Sequence, residues 1–308
     1  MLCVGGATVD RSYRLSAPLR AETSNPVSGR RGSGGVARNV AENLSRLGAE
    51  VGLVSRVGDD ESGRALLAAL DSCGIDRRGV VAVREATTAE YVAVLTPAGD
   101  LALGLADMAI FDRLTAVALV EHAALFSTAD WVFADCNLPE DALAVLARRG
   151  LPGARYRLAV DAVSVVKSAR LPDRLDGVDL LFLNREEAGA VLARRGHGEA
   201  SPAQAAAALV GAGAGAAVLT LGKQGAAVAS ERGVLHVPAV PARPVDVTGA
   251  GDALVAATLF GLTCGASLSE AVVLGCRAAA HTVECRTAVS PDLSRVLLPV
   301  LPGTVSGS

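Results

Sequence analysis

Aromatic residues are scarce in this chain. Five Phe, three Tyr and one Trp make up 3% of 308 residues, too few for the serial stacking platform that single-stranded nucleic acid requires. A basic patch is missing as well. The 29 Lys and Arg are scattered, the formal net charge is −3 and the pI is about 5.9, which argues against a nucleic-acid surface. The six cysteines contain no C-x-x-C, and the four histidines are not spaced with them as zinc ligands. Free, mostly buried thiols in a reducing cytosol are therefore expected, without a structural metal. No basic n-region precedes Asp10, so no secretory signal is expected. The longest apolar stretch, 203–222, is mostly Ala and Gly and is broken by Gly211, Gly213 and Gly215, which makes it a poor membrane span. Neither a fixed-period repeat nor a Pro/Ser linker divides the chain.

What is present is apolar and rich in small residues. Hydrophobic residues reach 51%, 33 residues are Gly, and mean hydropathy is +0.39, so general disorder is excluded. The length allows two ordinary domains or one large α/β unit. Apolar runs at 2–8, 51–57, 131–134, 158–160, 180–183 and 217–221 read as buried strands. Helical patterns lie between several of them, at 36–47, 61–73, 139–149, 185–194 and 202–210. In the first of these Val36, Val40, Leu44 and Leu47 share one face. Strands buried on both faces with helices between them imply a parallel sheet with crossovers. After Gly233 the chain is expected to turn helical again, at 250–262, 268–283 and 293–297. Two segments, 11–31 and 85–106, break the rhythm. The second reads as a hairpin whose strands, 91–95 and 101–105, flank a Pro-Ala-Gly-Asp turn. The two segments form either a small β lid or a surface appendage without a role.

The strongest chemical signal is Asp246-Val247-Thr248-Gly249-Ala250-Gly251-Asp252 ahead of a small-residue helix. Unpaired N–H groups at a helix start, in a turn whose glycines permit close approach, favour an anion. Asp252 is either a helix-capping carboxylate or a base beside that anion. There is no G-x-x-x-x-G-K-[ST], so a P-loop is excluded. A second signal is Gly34-Gly35-Val36-Ala37-Arg38-Asn39. Here Asn39 could serve sugar hydroxyls, or Ser33 could cap the helix and leave Asn39 solvated. Asn184 and Glu187 follow a strand and could orient metal-bound water near phosphates, or simply form a capping box. Thr220, Gly222 and Gly225 could pass beside a nucleotide or form a plain turn. Asp10 ends the first strand and could bind sugar hydroxyls or merely terminate it.

Taken in order, these segments resemble the ribokinase-like (PfkB) family of sugar and nucleoside kinases over residues 1 to about 295. The resemblance implies a doubly wound, Rossmann-like α/β sheet flanked by helices. It implies one kinase domain over 1–308, with lid segments at about 11–31 and 85–106. It implies Asp252 as general base, and Gly249, Ala250 and Gly251 as the anion hole for the γ-phosphoryl group of ATP. Asn184 and Glu187 would hold Mg²⁺ through water, and Thr220, Gly222 and Gly225 would border the nucleotide. Asp10, Gly34, Gly35 and Asn39 would grip the acceptor. Asp246, Thr248 and Ser290 would match a monovalent cation site for K⁺. The implied partner is a small nucleoside or sugar, not nucleic acid or membrane, and the implied setting is cytoplasmic, with a homodimer formed through the lid. Within the family, 34–44, 106–108, 134–138, 160–167 and 245–248 look most similar to the pseudouridine kinase subgroup. Val247, Ala257 and Cys136 depart from commoner family residues without removing a catalytic group. A sensor that kept the fold without catalysis is the competing reading from another class.

Overall fold

A computed structural model describes residues 1–297; the end of the expected domain, 298–308, lies outside them. The chain runs β1 (Leu2–Val4), β2 (Thr8–Leu15), β3 (Val27–Gly34), α1 (Val36–Arg46), β4 (Gly52–Gly58), α2 (Glu61–Ser72), β5 (Asp76–Val83), β6 (Glu90–Leu95) and β7 (Leu101–Asp107). It continues α3 (Ala116–Val120), α4 (Ala123–Ser127), β8 (Trp131–Asp135), α5 (Glu140–Ala147), β9 (Arg157–Asp161), β10 (Leu180–Asn184), α6 (Arg185–Ala193), α7 (Pro202–Gly211) and β11 (Ala216–Thr220). β12 (Ala226–Ser230), β13 (Gly233–Val237), α8 (Ala250–Thr263), α9 (Leu268–Val283) and α10 (Leu293–Leu297) complete it.

Nine strands form the main sheet, in the order β13-β12-β11-β10-β9-β8-β1-β4-β5. The seven from β11 to β5 pair in parallel, whereas β12 and β13 add an antiparallel edge. Successive residues of the parallel strands face opposite sides, as a two-residue period requires. Val4, Val132 and Leu181 join a core with Leu143, Val191 and Leu209 of α5, α6 and α7. Cys3, Phe133 and Phe182 join a second core with Leu44, Leu259 and Val272 of α1, α8 and α9. The scarce aromatics are concentrated here. Phe111, Phe126, Phe133 and Phe182 are fully buried, each contributing roughly 1.5–3 kcal/mol.

The segments at 11–31 and 85–106 come together. β2, β3, β6 and β7 form a separate four-stranded sheet in the order β3-β2-β6-β7. The expected hairpin is β6–β7, and β2–β3 is a second hairpin.

The helices expected after Gly233 are present as α8, α9 and α10, but Gly233–Val237 itself is a strand that the pattern did not signal. β5 was not signalled, because its charged start and open edge hide the pattern. Ser33 does not cap α1; Gly35 occupies that position and no side chain bonds there from its own segment. The apolar run 2–8 also divides, because Gly5 at φ 145° turns the backbone between β1 and β2.

Candidate functional site

The anion turn is built on Gly249. It takes a left-handed conformation at φ 78° as the N-cap of α8, and a Cβ there would lie 1.9 Å from the Ala288 carbonyl oxygen. Only glycine fits both demands. The Ala253 N–H donates to Gly249 O at 2.9 Å, so the N–H groups of Gly251 and Asp252 precede the intrahelical ladder and face the helix end. The Ala250 N–H makes a long 3.4 Å bond to Val247 O. Upstream, the Thr248 N–H donates to Asp246 Oδ1 at 2.9 Å, which shapes the approach to the turn.

Asp252 meets α1 across this turn. Asn39 Nδ2 donates to Asp252 Oδ2 at 2.7 Å, and Arg38 Nη1 donates to Asn39 Oδ1 at 2.6 Å. Asn39 is therefore buried and bonded, not solvated. Arg38 also pairs with Glu42, one turn along α1. Asp252 keeps part of its surface open, yet its carboxyl is enclosed by protein. Burial above all pushes its pKa up to about 7, with Asp135 and Asp10 adding to the rise and Asn39 and Arg38 opposing it. Such a value suits a group that takes a proton near neutral pH.

Asp10 does not end the first strand, as the sequence suggested; the turn at Gly5 places it near the start of β2, beside this pair. Thr8 Oγ1 donates to Asp10 Oδ1 at 2.8 Å, and burial raises the Asp10 carboxyl above its usual range. A Cβ on Gly34 would lie 2.1 Å from Asp10 Oδ2, and one on Gly35, at φ 92°, would lie 2.4 Å from Gly6 O. The glycine pair thus lets β3, the β1–β2 turn and α1 converge. A cavity of about 470 Å³ opens between the small sheet and the anion turn, with Ser12, Arg14, Arg30, Val245, Asp246 and Arg286 in its wall.

Asn184 and Glu187 lie at the carboxyl end of β10, with Thr220 of β11 directly opposite Asn184. They do form the capping box of α6. Asn184 N donates to Glu187 Oε2 at 2.8 Å, Asn184 Nδ2 to Glu187 Oε1 at 2.8 Å, and Glu187 N to Asn184 Oδ1 at 2.9 Å. Each carboxylate oxygen keeps a spare lone pair. Burial raises the Glu187 carboxyl. Gly222 and Gly225 turn the chain at φ 57° and 90°, and Arg185 Nη2 ties α6 to this turn through Gln224 Oε1 at 3.1 Å. Among the described residues no cluster of three His, Cys, Asp or Glu side chains could hold a metal directly. The Asn184–Glu187 donor set fits a cation held mainly by other ligands and reached through water. Ser290 is buried, and its Oγ accepts the Asp292 N–H at 3.4 Å. No hydrogen bond among the described residues joins Ser290 to Asp246 or Thr248.

Two site carboxylates escaped the sequence reading. Asp135 and Asp161 end β8 and β9, and both are enclosed. Burial raises Asp161 well above the carboxylate range, and Glu187, Asp252 and Asp135 reinforce the rise. The signal available was the same one that marked Asp10, an aspartate closing an apolar run.

The fold and site together define an α/β protein that sets the glycine-turned start of α8 beside a carboxylate raised to about 7. The model of the pfkB family carbohydrate kinases matches residues 1–295. The chain belongs to that family, and its fold is ribokinase-like. It is 30% identical over 295 residues to pseudouridine kinase of Escherichia coli K12, covering 96% of this chain and 93% of that protein. A carbohydrate kinase from Agrobacterium tumefaciens superposes with TM-score 0.80 at 30% identity, covering 98% of this chain and 97% of its own. Arabidopsis thaliana ribokinase, solved with ribose and ATP, shares the fold at TM-score 0.82 and 22% identity, over 97% of both chains.

Proposed function

We propose that this chain transfers the γ-phosphoryl group of ATP to the 5′-hydroxyl of pseudouridine. The observation that carries the reading is the Asn39–Asp252 pair at the start of α8, beside the Gly249–Gly251 turn. The relative that is 30% identical over nearly the whole chain is a pseudouridine kinase, which supports the choice of acceptor.

In this reading Asp10 and Asn39 hold acceptor hydroxyls, and Gly34 and Gly35 keep the backbone out of their way. Asp252 accepts the 5′-OH proton as that oxygen bonds to the γ-phosphorus. The bond from the γ-phosphorus to the bridging β,γ-oxygen breaks, and ADP leaves. The amides of Gly249, Ala250 and Gly251 meet the transferring charge, an arrangement in which positioning and electrostatics supply most of the rate. For Ala250 this requires its long bond to Val247 O to yield. Thr220, Gly222 and Gly225 border the nucleotide. Asn184 and Glu187 would hold Mg²⁺ through water, and bound Mg²⁺ would neutralise phosphate charge. Asp246 and Thr248, with Ser290 on the neighbouring segment, would supply oxygens to K⁺.

The single kinase unit includes the small sheet as its lid. Closure of that sheet over the 470 Å³ cavity would exclude water and limit ATP hydrolysis. A second copy would pair with it through β7, which leaves Leu101, Leu103 and Leu105 exposed at 58%, 45% and 53%; sedimentation reads the resulting mass. A cytoplasmic setting agrees with the free cysteines, and no described helix is long and apolar enough to cross a membrane.

The deciding experiment measures ADP release with ATP, Mg²⁺ and K⁺ against pseudouridine, ribose, fructose, guanosine and inosine. Pseudouridine should give the highest kcat/KM. A better rate with ribose, fructose or a purine nucleoside overturns the acceptor assignment. No stimulation by any acceptor overturns the enzyme reading in favour of a sensor.

A further inference from the structure

Helix α1 begins without a cap of its own. Gly35 has no side chain to offer, and the first turn holds no acidic residue. One amide of its first turn is nevertheless satisfied by a residue far away in sequence. Asp135 Oδ2 accepts the Ala37 N–H at 2.9 Å and the Gly6 N–H at 2.9 Å, while Oδ1 accepts the Asn137 N–H at 2.9 Å. One enclosed carboxylate thereby joins the end of β8, the β1–β2 turn and the start of α1. A carboxylate at a helix start also suits the helix dipole.

The fit around it is tight. A Cβ on Gly5 would lie 2.3 Å from Asp135 Oδ1, and one on Gly6 would lie 2.7 Å from Asn137 Nδ2. The Arg38 N–H donates to Gly6 O at 3.1 Å, which closes the junction from the other side. Both acceptor-binding arms leave this junction. Asp10 lies four residues beyond Gly6, and Asn39 lies two residues beyond Ala37. Asn39 is the residue that bonds Asp252.

We propose that Asp135 is a positioning residue for the reaction, holding Asp10 and Asn39 in register with Asp252 without touching substrate. This rests on the kinase reading of the site. The charges felt at Asp252 include those of Asp135 and Asp10, which raise it, and Arg38, which lowers it, and Asp252 in turn raises Asp161. Those felt at Asp135 include Lys167, whose Nζ donates to Asn137 Oδ1. Removing the Asp135 charge therefore lowers the pH at which Asp252 ionises.

The test is Asp135→Asn, assayed with pseudouridine or with the best acceptor of the panel. The amide matches the carboxylate in size but turns one acceptor oxygen into a donor facing backbone N–H groups. The expected result is a rise of about tenfold or more in acceptor KM, a KM for ATP within about twofold of wild type, and an acid limb of kcat/KM displaced to lower pH. An unchanged limb with unchanged acceptor KM, or equal losses for both substrates, overturns the proposal. A second measurement needs no variant and no activity. In the unliganded wild-type protein, amide hydrogen exchange across 37–40 should be as slow as in the strand β8. Exchange there about 100-fold faster than in β8 overturns the clamp. A wild-type protein without activity overturns the kinase reading, and the exchange experiment still decides the clamp.

Discussion

Replacing Asp252 by Asn tests chemistry and energetics together. Burial lifts this carboxyl from 3.8 to about 7. A carboxyl raised in the fold binds its proton more tightly in the native state than in the unfolded chain. Its contribution to stability therefore falls as pH rises from the unfolded to the folded value. The difference is about three pKa units, and at 1.36 kcal/mol per unit the cost of ionising Asp252 in the fold approaches a ceiling of about 4 kcal/mol at pH 8. At pH 5 the native group is still protonated, and less than half of that cost applies. Asn removes the charge and keeps an oxygen to accept the Asn39 N–H. The variant should therefore be more stable than wild type in urea at pH 8, by about 2–4 kcal/mol, with the gap at least halved at pH 5. Its kcat should fall by about 10²–10⁴ because the base is gone, while ATP still binds. A stability gap of the same size at both pH values would refute the burial argument. Turnover within about tenfold of wild type would refute the base assignment.

The wild-type enzyme should lose kcat/KM as pH falls through about 7, the value to which burial lifts Asp252; a rate flat from pH 5.5 to 8 contradicts that. Gly249→Ala forces a Cβ to within 1.9 Å of Ala288 O in a left-handed residue, so kcat should drop by about 100-fold or more in steady-state assays as the anion turn distorts. Glu187→Gln keeps the capping-box bond from the Asn184 N–H, because Gln still offers one acceptor oxygen, but it sets an amide NH2 against Asn184 Nδ2 and loses that bond. Its melting temperature should fall by only a few degrees, about what one lost hydrogen bond costs, while the Mg²⁺ concentration for half-maximal activity rises severalfold. An unchanged Mg²⁺ dependence would confine Glu187 to capping.

The sequence made some of this site readable and hid the rest for physical reasons. Val36, Val40 and Leu44 recur at helical spacing although α1 is buried at every position from 37 to 44, and in the Gly249–Gly251 turn Gly249 holds a position that only glycine fits, whereas Gly251 has open space around it. Asn39 and Asp252 could each be picked from local pattern, yet each had a bland alternative. Their 2.7 Å bond across 213 residues of chain brings the two together and excludes a solvated Asn39, which no local pattern records. Asn184 and Glu187 show the opposite limit. The capping box is present, and it is compatible with a second duty, so neither pattern nor fold separates the two. The missed strands β5 and β13 carry polar and exposed residues at the sheet edges, where a buried-strand pattern cannot form. Asp135 stood out only as an aspartate closing an apolar run; two of its three N–H partners lie 129 and 98 residues away, and no local pattern records them.

The enclosed carboxylates share one cause and one consequence. Parallel strands bring Asp135, Asp161 and Asn184 to the same edge of the sheet, and Asp252 and Glu187 approach from helix starts above it. Burial raises Asp135, Asp161, Glu187 and Asp252 alike, and Asp161 is raised further by three of its neighbours. A fold that concentrates negative charge where water is scarce loses stability there. Without firm anchoring the cheapest relief would be for the turns to open and hydrate the carboxylates, which would also return Asp252 to an ordinary, weakly basic carboxylate. The close contacts at Gly5, Gly34, Gly35 and Gly249, and the three N–H bonds to Asp135, oppose that opening. The glycine-rich junction and the near-neutral carboxyl are thus two sides of one requirement: the second lasts only as long as the first holds.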